Sequence, residues 1–100
     1  METFANKIRL ARDQNSLYLR QVAAELEIDQ AIISKFERGE RKPTRDQVIK
    51  FAKFYNLNTE ELLIAWLSDK VTYELVDETL ACEALKVAEA KIRYVQNSKM

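Results

Sequence analysis

Apolar residues recur along this chain three and four positions apart, and only short polar breaks separate the runs. Such spacing predicts amphipathic α-helices, because side chains three or four residues apart lie on one face of a helix. The chain holds one glycine and one proline, so little irregular structure is expected. We therefore predict an all-α protein.

The pattern predicts six helices with recognisable ends. They cover residues 4–15, 18–26, 30–38, 45–55 and 59–76, followed by a last helix of about 18 residues. Short polar side chains precede four of them and can accept hydrogen bonds from first-turn amides: Asp29, Thr44, Asn58 and Asp77. Gly39 can end the third helix in the left-handed conformation, and Pro43 prevents that helix from continuing.

The apolar faces of the helices predict one core. Leu10 in the first helix fits its apolar face less well, and the fourth helix can bury either Phe54 or Tyr55. Ile28 and Ile33 flank the Asp29 cap as a hydrophobic staple. The remaining core positions are Phe4, Ile8, Ala11, Leu17, Val22, Ala23, Leu26, Phe36, Val48, Ile49, Ala52, Leu62, Leu63, Trp66 and Leu67.

Composition narrows the classes of function. The chain has no histidine and a single cysteine, Cys82, which argues against a disulfide, a zinc site and a histidine-based catalytic pair. A lone cysteine suits a reducing cytoplasm. Glu2 near the start of the chain and the absence of a long apolar run argue against a signal peptide and against a membrane span. We expect a cytoplasmic protein without cofactor or metal.

Charge is distributed unevenly, although the formal net charge is zero. Residues 1–58 hold 11 Lys/Arg against 8 Asp/Glu, whereas residues 59–100 hold 5 against 8. Residues 30–53 are the most basic part, with 7 against 3. Such a basic face can meet nucleic-acid phosphates, but a solvated surface of mixed charge would give the same counts.

Residues 19–39 read as two short helices joined by a tight turn. Two such helices can cross steeply, so that the second presents its first residues to the major groove of DNA. Gln30 can pair with adenine, Lys35 with guanine or phosphate, and Ala31 with a thymine methyl group. Ile32 fits a methyl contact equally well, although packing against the fourth helix explains it as readily.

Several short motifs then follow one another in order: Leu17, Val22-Ala23, Ile28, Ile33-Ser34-Lys35-Phe36-Glu37-Arg38-Gly39, Arg41-Lys42-Pro43 and Asn58-Thr59-Glu60-Glu61-Leu62-Leu63. With these motifs, residues 17–63 resemble the lambda-repressor/Cro-like (XRE-type) helix-turn-helix family. The resemblance implies a five-helix DNA-binding domain in which Gln30, Ala31 and Lys35 read bases. It also implies that Arg12 and Glu37 tie helices together. The DNA-backbone contacts we expect are Arg12, Arg20, Ser34, Arg38, Arg41, Lys42 and Arg45.

Three positions depart from the family pattern. Tyr18-Leu19 stand where a Ser/Thr-Gln pair often caps the second helix, so Arg20 is the alternative phosphate contact. Glu27 stands where the turn usually has glycine, and must tolerate the same backbone or a different turn. Glu40 adds a negative charge to the loop of residues 40–43, which we call the basic loop, and this charge would weaken DNA binding slightly.

The tail extends beyond what a five-helix domain needs. We divide the chain into residues 1–67, the DNA-binding domain, and residues 68–100, a helical extension that mediates dimerisation. The expected interface is formed by Trp66, Val71, Leu75, Leu80, Ala84, Leu85, Ala88 and Ile92. The alternative is a tail that folds back on its own domain. Dimerisation is favoured because two modules on a palindrome bind more tightly than one.

The predicted function is a sequence-specific prokaryotic transcription regulator, a repressor or autoregulator that binds double-stranded DNA as a homodimer. A restriction–modification controller, a phage repressor and an antitoxin remain open as subclasses. The alternative is a protein-interaction adaptor that keeps the fold. An enzyme is not expected, because the chain has no glycine-rich phosphate loop and no nucleophile–base pair. No small-molecule ligand is expected either.

Overall fold

A computed structural model describes residues 2–99 of the chain. This part of the protein contains six α-helices and no β-strand, so the all-α prediction is confirmed. The helices are α1 Phe4–Gln14, α2 Leu19–Leu26, α3 Gln30–Glu37, α4 Arg45–Phe54, α5 Thr59–Leu75 and α6 Ala81–Ser98. They differ from the predicted ranges by one to a few residues at their ends.

The chain forms two compact units, and the boundary between them falls after Lys70, inside α5. The first unit holds α1 to α4 and most of α5. The second unit holds the last turn of α5 and the whole of α6. The sequence prediction placed this division three residues earlier, between residues 67 and 68, and the dimerising role of the second part stays a prediction.

An aromatic cluster fills the centre of the first unit. The rings of Phe4, Phe36 and Phe51 meet edge to face, with centroids 5.7 to 6.5 Å apart. Tyr55 stacks on Phe51 at 6.2 Å. Edge-to-face contacts place the positive ring edge against a negative ring face and add to the burial of apolar surface. Helices α1, α3 and α4 are thereby joined through one cluster.

Phe51 was missing from the predicted core, although its side chain is fully buried. The buried positions of α4 are Val48, Phe51, Ala52 and Tyr55, which is the spacing of one helical face. The prediction chose Ile49 in place of Phe51, and Ile49 is only half-buried. The choice between Phe54 and Tyr55 is resolved in favour of Tyr55.

Two further core predictions are wrong. Leu10 and Leu67 are exposed, at 57% and 42% of their surface, while Leu63 is half-buried at the edge of the core. The buried residue that α5 contributes between Leu62 and Trp66 is Ala65. The apolar stripe of α5 is therefore narrower than the sequence suggested.

The predicted caps of α3, α4 and α5 are confirmed. The Asp29 carboxylate accepts a hydrogen bond from the Ala31 N–H at 2.8 Å. Thr44 and Gln47 form a reciprocal capping box, and the Asn58 side chain accepts from the Glu61 N–H at 2.9 Å. Each bond satisfies an amide that has no partner within its helix.

The predicted Asp77 cap is wrong. Helix α6 begins at Ala81 with Leu80 as its N-cap residue, and no side chain caps it. Two backbone turns fill the connection, since the Glu78 N–H donates to the Leu75 carbonyl and the Ala81 N–H to the Glu78 carbonyl. Asp77 lies within this connection, too far from α6 to cap it.

Two contacts stabilise the start of α1. Asp69 of α5 accepts a hydrogen bond from the Phe4 N–H at 2.9 Å, so its carboxylate lies at the positive end of α1. Thr3 caps the same helix by accepting from the Asn6 N–H. A carboxylate from α5 therefore sets where α1 begins.

Candidate nucleic-acid interface

The turn between α2 and α3 depends on a left-handed residue. Glu27 has φ 56° and ψ 41°, and the N–H groups of Glu27 and Ile28 both donate to the Ala23 carbonyl. This is the conformation that glycine adopts most easily, so Glu27 holds a left-handed backbone at some cost in strain. Ile28, 8% exposed, then anchors the turn in the core.

Helix α3 exposes most of its predicted base readers. Gln30, Ala31 and Lys35 are exposed, while Ile33 and Phe36 on the same helix are buried. Ile32 is half-buried and packs against the core, so a methyl contact to DNA and packing against α4 both stay predictions. Gln30, Ala31 and Lys35 therefore offer an amide, a methyl group and an ammonium group on accessible surface.

Arg12 ties α1 to α3. Its Nε donates to Glu37 Oε2 at 2.8 Å, its Nη2 to Glu37 Oε1 at 3.0 Å and its Nη1 to the Leu17 carbonyl at 3.0 Å. Glu37 is 6% exposed, and its hydrogen bond raises the pKa of the Arg12 guanidinium. The helix-tying role that the resemblance implied is present. All three guanidinium nitrogens of Arg12 already donate inside the domain. The additional phosphate contact that we predicted for Arg12 stays a prediction.

The start of α2 shows what replaces the family's Ser/Thr-Gln cap. The Gln21 side chain accepts from the Tyr18 N–H at 2.7 Å, so the side chain at the third helical position satisfies this amide. The exposed Arg20 guanidinium lies 4.8 Å from the centroid of the Tyr18 ring. Arg20 is thus held at the surface by a cation–π contact and stays available as the predicted phosphate contact.

The basic loop begins with a Schellman motif. Gly39 has φ 72°, its N–H donates to the Phe36 carbonyl, and the Glu40 N–H donates to the Lys35 carbonyl at 2.9 Å. Arg38 and Glu40 form an ion pair whose side chains remain more than half exposed. The negative charge noted in the sequence therefore faces a specific arginine. The same arginine is one of the predicted backbone contacts.

The remaining backbone contacts follow on the loop and the start of α4. Arg41, Lys42 and Arg45 are exposed, whereas Ser34 is half-buried in α3. Arg45 is the first residue of α4, where helix amides without intrahelical partners favour a bound phosphate. The loop thus places cations directly beside a helix N-terminus.

Trp66, which we predicted at the dimer interface, is buried inside the first unit, and an interface role for it stays a prediction. Its side chain is 6% exposed, and its Nε1–H donates to the Pro43 carbonyl at 3.0 Å. The Arg45 guanidinium lies 5.5 Å and the Lys70 ammonium 3.6 Å from its ring centroid. The sequence offered one signal for this arrangement, because Lys70 follows Trp66 by four residues on a helix.

The second unit brings five of the predicted interface residues together. Val71 and Leu75 from α5 and Leu85, Ala88 and Ile92 from α6 line one open groove of about 600 Å³. Leu80 is exposed in the connection between the helices, and Ala84 is exposed on α6. Neither residue lines this groove.

A family model for helix-turn-helix proteins matches residues 8–62, which is more than half of the chain. The chain belongs to the lambda-repressor-like, XRE-type helix-turn-helix family. It is a DNA-binding transcription regulator of that kind. No curated protein and no solved structure gives a significant match to the chain. Within residues 2–99, no helix is both long and apolar enough to cross a bilayer.

Proposed function

We propose that this regulator binds a pseudo-palindromic operator as a homodimer and represses transcription, including that of its own gene. The observation that carries the DNA-reading part is the exposure of Gln30, Ala31 and Lys35 on α3, directly after a capped and anchored turn. An amide can bond bidentately to adenine, an ammonium group can donate to guanine, and a methyl group can contact thymine.

Two groups of cationic side chains support the proposed DNA binding, because they can contact backbone phosphates. Arg41, Lys42 and Arg45 follow α3 in the chain and lie at or beside the N-terminus of α4. Arg20 lies on the first turn of α2, the helix that crosses the backbone in this family. These contacts supply affinity for any sequence and orient α3 for base contact.

The homodimer is supported by α6. None of its 18 residues is buried, although Leu85, Val87, Ile92 and Val95 expose between 41% and 55% of their surface. A two-helix unit of this size does not bury enough apolar surface to hold a fixed structure by itself. A second copy offers the same groove, and a two-fold axis would place two α3 helices about 34 Å apart.

Control through protein concentration fits this architecture. A monomer–dimer equilibrium converts a rise in concentration into a steeper rise in operator occupancy. A small controller of a restriction–modification system would use such a response, and a phage repressor or an antitoxin could use it too.

The test of DNA reading is binding to two duplexes at rising salt, one of random sequence and one selected from a random pool. For the wild type, log K should fall with log salt by about 0.9 per phosphate contact. Gln30→Ala should cost about 1–3 kcal/mol on the selected site and little on the random duplex, whereas Arg41→Ala should weaken both alike. Equal losses for Gln30→Ala on both would refute its base-reading role. Flat or absent binding by the wild type would support the adaptor alternative.

A further inference from the structure

The indole of Trp66 joins two parts of the first unit that lie 23 residues apart in the chain. Its Nε1–H donates to the Pro43 carbonyl inside the structure, and its ring lies beside the cationic groups of Arg45 and Lys70. We call Trp66, Pro43, Arg45 and Lys70 the tryptophan bracket. Through these contacts Trp66, on α5, reaches the end of the basic loop and the start of α4.

The bracket fixes the second end of the basic loop. The first end is fixed at Glu40, whose N–H donates to the Lys35 carbonyl in the Schellman motif. Pro43 is buried and held through its carbonyl, so only Arg41 and Lys42 lie between the two anchors. A loop that is ordered before binding loses less conformational entropy when its cations meet phosphates.

The bracket also explains how Arg45 is kept at the first position of α4. A cation at a helix N-terminus is repelled by the positive end of the helix dipole. The guanidinium 5.5 Å from the Trp66 centroid is attracted by the negative face of the ring. This attraction holds the Arg45 cation beside the N-terminal amides of α4, where a DNA phosphate would neutralise it.

We propose that Trp66 is a positioning residue for DNA-backbone binding. It holds the loop of Arg41 and Lys42 and the guanidinium of Arg45 in the arrangement that meets phosphates. This inference rests on the proposed DNA-backbone role of those three residues. Because Trp66 acts on phosphate contacts, it governs affinity for every sequence and leaves base preference unchanged.

The decisive variant is Trp66→Phe, which keeps an aromatic ring in the core and removes the Nε1–H donor. Binding to random duplex is measured from about 50 to about 200 mM salt, at a temperature where circular dichroism shows both proteins folded. We expect roughly tenfold weaker binding at the lower salt and a slope shallower by about one phosphate contact. The ratio of selected-site to random affinity should not change.

Ile8→Val is the matched control, because it trims the buried core on α1 and leaves the loop untouched. The control should lower thermal stability while keeping the wild-type salt slope. A Trp66→Phe protein with the wild-type affinity and slope would overturn the proposal. So would an equal change of slope in Ile8→Val, since the effect would then come from general destabilisation.

A double-mutant cycle that combines Arg45→Ala with Trp66→Leu, which also removes the aromatic ring, separates positioning from an independent role. If Trp66 acts partly through Arg45, the double variant loses less affinity than the product of the two single losses. Strictly multiplicative losses would overturn that part of the proposal. A wild type that shows no salt-dependent binding contradicts the proposed function itself. Steep wild-type binding with an unaffected Trp66→Phe contradicts only the positioning role.

Discussion

The hydroxyl group of Tyr55 lies inside the first unit, where its ring stacks on Phe51 and only 8% of the residue is exposed. Among residues 2–99, this hydroxyl has no hydrogen-bond partner. A buried polar group without a partner costs about 1–3 kcal/mol of desolvation. Tyr55→Phe removes the hydroxyl and keeps the ring, so we expect the free energy of unfolding in urea to rise by about 1 kcal/mol.

The same residue predicts a loss of stability at high pH. Burial, and next the negative charge of Glu37, raise the pKa of Tyr55 from 10.0 to about 12. Below pH 10 the phenol is protonated in both states, and between pH 10 and 12 the unfolded chain releases its proton first. The free energy of unfolding therefore falls across this window, by at most about 2–3 kcal/mol. The free energy of unfolding of Tyr55→Phe should fall less over the same pH range, because the variant has no phenol to titrate. If the two proteins lose stability in parallel between pH 10 and 12, the loss does not come from Tyr55.

At the scale of elements, the turn between α2 and α3 holds its geometry against a local preference. Glu27 adopts φ 56°, which costs an L-residue about 1–2 kcal/mol relative to the right-handed region. Glycine does not pay this cost, but it loses more backbone entropy on folding. We expect Glu27→Gly to raise the free energy of unfolding by about 0.5–1 kcal/mol. Chemical denaturation of the wild type and of Glu27→Gly, followed by circular dichroism, measures this difference in the free energy of unfolding.

Glu25→Gly is the matched control for this turn. Glu25 is exposed inside α2, only two residues earlier, and a glycine there should lower stability by about 1 kcal/mol. The two substitutions therefore change stability in opposite directions, although they remove the same side chain. A decrease in both variants would show that the left-handed backbone at residue 27 is not strained.

Local signals in the sequence accounted for much of the fold. Asp29, Thr44 and Asn58 cap helices because a short polar side chain before an apolar run is a local chemical requirement. Asp77 is also a short polar residue before an apolar run, but it does not cap α6. A polar residue within a connection of backbone turns cannot be told from a cap by sequence alone. Phe51 was missed because several neighbouring apolar residues in α4 allow more than one buried face.

Sequence patterns predicted the candidate site less well where contacts between distant parts of the chain determine the position of a side chain. Trp66 fits a core and an interface equally well, since both need an apolar side chain at helical spacing. Its burial and its hydrogen bond to the Pro43 carbonyl, which another part of the chain supplies, place its side chain in the core. The Arg38–Glu40 pair likewise depends on how the loop turns after Gly39. By contrast, the exposure of Gln30 and Lys35 follows from the helical period alone.

For the whole molecule, the proposed homodimer predicts that one substitution separates assembly from DNA contact. Leu85→Asp places a charge in the groove of the second unit and leaves the first unit unchanged. We expect the wild type to sediment as a dimer and Leu85→Asp as a monomer. Affinity for a selected palindrome should then fall by about 10²–10⁴, while affinity for a single half-site stays the same, because only the palindrome benefits from effective concentration.

Tyr94→Asp is the control for this experiment, since Tyr94 is 75% exposed and does not line the groove. By helical spacing it lies on the side of α6 away from Leu85 and Ile92, so its variant should remain dimeric and bind the palindrome as the wild type does. A dimeric Leu85→Asp protein would place the interface elsewhere. A monomeric wild type that still binds the palindrome tightly would show that the second unit serves another purpose. Comparing half-site with palindrome binding therefore tests assembly through α6 separately from base reading through α3.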